Sequence, residues 1–166
     1  MYRKIEDFRE DLGYEREATG KVLAAVTDAA LGQRVSADGR TLGQIAWHIV
    51  GTLREMPGEA GLTVEAAAAP AAMPKTAAEV AAAYRQAAEA VEAAVVRQWD
   101  DAALAEEVTV YGERWKRGKV LAALIKHEAH HRGQITVLLR QAGLAVPGVY
   151  GPAKEEWAAF GMPAPE

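Results

Sequence analysis

The chain has 166 residues, half of them hydrophobic but few aromatic, which is enough for one domain with a sizeable core. It has no cysteine, which excludes disulfides, thiolate zinc ligands and a cysteine nucleophile. The net charge of -4 comes with no basic stripe, no unbroken apolar span and no signal-peptide core; this argues against nucleic acid and membrane as partners and predicts a soluble, cytoplasmic protein.

In chain order, residues 2–27 read as a first helix with Ile5, Phe8, Leu12, Val22, Leu23 and Val26 on its buried side. Glu6–Arg9 and Glu17–Lys21 support its outer face as i,i+3 and i,i+4 pairs, while Gly13 and Gly20 weaken it. A turn at 36–40 leads to Thr41, the cap of a second helix from Leu42 to Met56 that Pro57-Gly58 should stop. Leu42, Ile45, Ile49, Leu53 and Met56 form its stripe, and His48 borders it; Trp47 falls on another side.

Residues 57–74 are rich in Ala, Gly and Pro and read as a loop with at most a short helical turn. Lys75 or Thr76 opens an alanine-rich third helix that runs to Trp99 and is ended by Asp100-Asp101. Residues 106–117 break the helical pattern and are expected to form an extended loop, strand-like only over 108–112. A fourth helix then runs from Gly118 to Gly143, its natural C-cap, with Arg140 at the negative end of the dipole. A turn-rich tail follows, and a short helix at Ala153–Phe160. Four long helices with medium connections predict an all-α four-helix bundle over 1–166, a single domain with a short C-terminal helix.

Chemistry concentrates on the fourth helix, which holds three of the four histidines. At about 100° per residue, His131 falls near the middle of the apolar stripe of Val120, Leu121, Leu124, Ile125, Ile135, Leu138 and Leu139. His127 lies roughly 40° away, and His130 about 100° from His131. Two imidazoles at i and i+4 on one inward face suit a metal ion, although inward histidines also serve as hydrogen-bonded core residues. With His48 from the second helix, His127 and His131 make a three-nitrogen set for one divalent metal, with a position left open. Imidazole suits zinc and nickel, and also iron, cobalt or copper. Such a centre lowers the pKa of bound water or thiol and attracts anions.

Glu128 makes His127-Glu128-Ala129-His130-His131 also fit H-E-x-x-H, with Glu155 or Glu156 as a downstream ligand. Zincins present substrate along a sheet edge and this chain offers almost no strand, so a protease is disfavoured; for Glu128 an i,i+4 ion pair with Arg132 is favoured over a general base. Gln134 either orients a histidine or bonds across the bundle; with Glu128 it is the only candidate for a catalytic role. Gly133, costly inside a helix, is expected to admit close approach of a neighbour, and Tyr111, Trp115 and Tyr150 to pack ordinarily rather than line a pocket mouth.

The runs Gly39-Arg40-Thr41-Leu42-Gly43-Gln44-Ile45-Ala46-Trp47-His48, His127-Glu128-Ala129-His130-His131-Arg132-Gly133-Gln134 and Pro147-Gly148-Val149-Tyr150-Gly151 resemble the bacterial DinB (damage-inducible) family of the DinB/YfiT-like superfamily, over nearly the whole chain. The resemblance implies an up-down-down-up bundle, often a homodimer in a stress response. It also implies a nickel- or zinc-type site on His48, His127 and His131, with His130 a neighbour and no ligand. Some relatives are thiol-dependent transferases or isomerases using a low-molecular-weight thiol; others were labelled metal-dependent hydrolases. The expected function is accordingly thiol S-transfer to a small electrophile. Metal-activated water in a hydrolase and a non-enzymatic metal-binding stress protein are the alternatives.

Overall fold

The computed structural model describes residues 1–65 and 72–164. Four α-helices carry the fold: α1 (Ile5–Ala24), α2 (Leu42–Glu59), α3 (Ala77–Gln98) and α4 (Arg117–Gln141). Short 3-10 helices occupy Asp28–Gly32, Ala103–Ala105 and Lys154–Phe160. Packing runs in a ring, α1 against α3 and α4, and α2 against α3 and α4.

Contacts along the ring give the directions. Tyr2 N donates to Gly118 O and Glu15 pairs with Arg132, so α1 and α4 run parallel. His48 meets His127, and Arg117 Nε donates to Ala60 O, so α2 opposes α4. Asp101 Oδ1 accepts from Ile5 N while Asp28 Oδ1 accepts from Ala77 N, which sets α3 against α1. The result is the expected up-down-down-up four-helix bundle.

The helix ends show how the sequence sets the boundaries. Thr41 and Thr76 each form a reciprocal capping box, with Gln44 and Glu79. Helix α4 ends as expected at Gly143, whose φ of +73° is cheap only for glycine, and Leu144 N bonds back to Leu139 O. Helix α2 departs from expectation by continuing through buried Pro57 to Glu59. The proline costs one backbone bond within the last turn, and the true stop is Gly61 at φ +86°, where Leu62 N bonds Pro57 O. Residues 66–71 of the expected connecting loop lie outside the described residues. Helix α1 is shorter than the span 2–27, because Thr27 opens the 3-10 turn by capping Ala30 N.

The expected extended loop at 106–117 is instead an antiparallel hairpin, β1 (Glu107–Val110) with β2 (Glu113–Lys116), Val108 opposite Trp115. Tyr111 and Gly112 form its two-residue turn with φ of 49° and 83°, the sign that matches the strand twist. Tyr111 is an unusual residue for that position, which hides the turn in the sequence.

The core fills the ring with Phe8, Leu12, Leu42, Ile49, Leu53, Tyr84, Leu121, Leu124, Ile135 and Leu138, all essentially inaccessible. Small Ala87, Ala88 and Ala94 on α3 fit the alanine-rich composition. Gly133, by contrast, has no close neighbour among the described residues: a Cβ there meets nothing of them within 4 Å. The expected helix approach is absent at this exposed position. Gly133→Ala should therefore stabilise the protein by about 0.5–1 kcal/mol, read as a rise in thermal midpoint, because alanine relieves the helix entropy cost without a clash.

Candidate metal centre

Two helices bring the three histidines together. Capped at Thr41, α2 presents His48 one turn after Ile45, and α4 presents His127 and His131 one turn apart. His127 Nε2 lies 3.3 Å from His48 Nε2 and 3.2 Å from His131 Nε2. The ring centroids are 5.0, 4.7 and 4.4 Å apart, all edge-on. The group could hold a metal ion, with one ligand atom from each residue within 4.8 Å of the others. His130, 100° further round, is exposed and outside the group.

The donor chemistry fits a cation. Gln134 Oε1 lies 2.7 Å from His131 Nδ1; as the acceptor of that bond it places the ring proton on Nδ1 and leaves the Nε2 lone pair aimed into the group. His127 Nδ1 is buried without a hydrogen-bond partner among the described residues. Neutral imidazoles directing several Nε2 atoms at one point repel unless a proton or a metal stands between them. Tetrahedral coordination at the usual zinc–nitrogen length of about 2.0–2.1 Å gives nitrogen–nitrogen separations near 3.3–3.4 Å. The two observed separations agree with that.

Burial and neighbouring charge favour the neutral, lone-pair-bearing form of His127 and His48. Burial, then the neighbouring His131 and His48 rings, push His127 down to about 4 from the ordinary 6.5. Burial also lowers His48, with smaller contributions from His131 and Arg40, and Glu55 opposes both shifts weakly. For metal-free protein the sign follows directly. Between pH 6.5 and about 4 the unfolded chain binds a proton at His127 that the native state refuses. Stability should be full above pH 6.5 and decline as pH falls toward 4. Thermal midpoints in chelator should show this slope, and His127→Gln should flatten it.

Gln134 bonds along its own helix, its Oε1 2.7 Å from His131 Nδ1 and its Nε2 3.3 Å from His130 Nε2. The favoured Glu128–Arg132 ion pair does not form. Both residues are buried, on the face of α4 turned away from the histidines, and each finds another partner. Glu128 Oε1 accepts from Tyr84 and from Thr19 at 2.7 Å, while Oε2 has no partner among the described residues. Burial raises the Glu128 carboxyl above the usual range, which its two hydroxyl donors only partly offset. Arg132 pairs with Glu15 of α1, donates 3.0 Å to Thr19 and 2.8 Å to Tyr150, and its ring-facing side lies over Tyr150.

Glu15 and Thr19 went unremarked in the sequence, although both continue the phase of Phe8 and Leu12 along α1. Tyr150 closes this network from the tail, its hydroxyl on Glu15 and its ring stacked on Tyr14. Tyr111 bonds Glu55 at 3.1 Å, and Trp115 lies under the Lys119 ammonium at 3.8 Å. A cleft of about 440 Å³ opens beside His131 and Gln134.

Known proteins match this chain along its length. The DinB family model matches residues 1–166. The uncharacterized protein YrdA of Bacillus subtilis (strain 168) is 43% identical over 166 residues, covering 100% of this chain and 99% of YrdA. The crystal structure of a DinB-like protein from Bacillus cereus superposes with a TM-score of 0.85 at 39% identity, over 90% of this chain and all of that one. A second DinB-like structure, from Bacillus subtilis, shares the fold at TM-score 0.68 and 14% identity, over 86% and 96% of the two chains.

Proposed function

This chain belongs to the DinB family, and from its three-histidine group we propose that it is a metal-dependent thiol S-transferase acting on small electrophiles. The observation that carries the reading is the convergence of three imidazole nitrogens, with two separations of 3.2 and 3.3 Å and no carboxylate in the group. His48, His127 and His131 are the ligands of this proposal, and zinc or nickel the metal. A divalent metal there supplies a Lewis acid that makes a thiol acidic at neutral pH.

The chain's own residues do the rest. Gln134 fixes the His131 ring with its donor nitrogen inward. The lack of any protein thiol means the sulfur nucleophile comes from a low-molecular-weight co-substrate. Its sulfur bonds to the electrophilic carbon, the leaving group departs with the bonding pair, and the thiol proton passes to solvent. The apolar walls of the adjoining cleft keep water from competing. Within this reading the protein works in the cytoplasm, as a homodimer in a stress response. No helix among the described residues is long and apolar enough to cross a membrane.

The test is elemental analysis of purified protein followed by turnover of a halogenated aromatic with and without added thiol. Near-stoichiometric zinc or nickel and turnover that needs both metal and thiol support the proposal. Hydrolysis without thiol, lost in His131→Ala, would replace it with metal-activated water. Tight metal without turnover across a broad panel would leave a binding protein.

A further inference from the structure

The cleft beside His131 has a composition that the three-histidine group does not require. Its walls are apolar: Val35, Ile45, Val137 and Leu138. Val35 and Val137 are 69% and 52% exposed, although each is a hydrophobic side chain facing a concavity. One cation, Arg40, stands at its rim, on the residue before the capping Thr41. No carboxylate among the described residues lies within ion-pair distance of that guanidinium; the same holds for Arg3, Arg34, Arg54 and Arg85, and Arg40 differs from those four in lining this cleft. Gln134, which also lines the cleft, has both side-chain ends engaged by His131 and His130 and offers the ligand little.

We propose that this cleft is the binding site for the electrophilic substrate, and that the substrate is a small molecule with a short apolar body and a carboxylate that pairs with Arg40. The apolar walls exclude a polyhydroxylated body, whose hydroxyls would lose water without finding partners. The unpaired guanidinium supplies the planar two-donor fork that matches a carboxylate. His131 lines the same cleft, so a molecule held there reaches one member of the three-histidine group. The assignment rests on the proposed metal centre for its chemistry, but the recognition by Arg40 and the apolar walls does not.

The probe is hexanoate, titrated into metal-free and zinc-loaded protein with binding followed by NMR shifts of the cleft residues. Hexanol and gluconate serve as controls, and metal content is measured separately. Hexanoate should bind in both forms, at least about tenfold more tightly than hexanol or gluconate, and Arg40→Gln should weaken it about tenfold. Exposed Val137→Asp, which places an anion in the wall without touching the core, should abolish hexanoate binding. Equal hexanoate affinity in Arg40→Gln, or gluconate binding as tightly as hexanoate, would overturn the assignment. So would binding seen only with zinc and untouched by Arg40→Gln, since the metal alone would then hold the carboxylate. Failure to take up metal would count against the three-histidine centre, while the metal-free titration still decides the role of Arg40.

Discussion

His127→Ala is expected to reduce bound zinc or nickel from near-stoichiometric to trace levels without loss of helicity. His127 is the middle ligand of the set, since its Nε2 is the atom the other two approach at 3.3 and 3.2 Å. Losing a partner that merely orients a ligand costs roughly 10–100-fold in metal affinity. Losing the ligand itself should cost at least about a hundredfold. The helix should tolerate the change, because alanine is the best helix former and the exchange removes a buried ring nitrogen that has no partner among the described residues. Metal-free His127→Ala should accordingly melt at or above the parent's midpoint. Elemental analysis and circular dichroism check both halves. Metal retained at parent level would remove His127 from the site.

Glu15→Ala should destabilise the protein by about 3–5 kcal/mol, among the largest effects of any single change outside the apolar core. The cause is the charge left behind. Arg132 is only 3% exposed and would keep Thr19 and Tyr150 as hydrogen-bond acceptors but lose its paired carboxylate. A protein of this size has about 5–15 kcal/mol in total, so the variant should unfold at far lower urea. The double variant Glu15→Leu with Arg132→Met should recover most of the loss, because removing both charges together avoids stranding either. Urea midpoints for parent, single and double variants test the pair. A Glu15→Ala variant within 1 kcal/mol of the parent would show that Arg132 finds water on its own.

The three histidines were legible in the sequence because helical phase converts spacing into facing. His127 and His131 at i,i+4 had to share a side, and His48 one turn from Ile45 had to border the stripe that α4 meets. Thr41 and Gly143 were legible because capping is local chemistry. The Glu15–Arg132 pair was not, since it joins residues 117 positions apart through the relative rotation of two helices. Spacing shows that Glu128 and Arg132 share a face; it does not show which partner helix that face meets. The nearest opposite charge in the sequence is therefore not the partner in the fold. The hairpin's second strand, Glu-Arg-Trp-Lys, carries too little apolar alternation to stand out, and its turn uses tyrosine where asparagine is usual. Gly133 is the converse case, a helical glycine for which no neighbour among the described residues gives a reason.

Two adjacent pairs on α4, His127 with Glu128 and His131 with Arg132, serve opposite sides of the bundle: the imidazoles look toward α2, the charged groups toward α1 and α3. One residue inserted or deleted between Leu121 and His127 would turn everything downstream by about 100° relative to the first turns. A deletion would aim the Glu128 carboxylate and the Arg132 guanidinium at His48, whereas an insertion would bring Lys126 and His130 there and bury His127 and His131 against Glu15. Helix α4 can therefore diverge by substitution but not by change of length. Among descendants of this sequence, the distance from Gly118 to His131 should be the most rigid count in the chain.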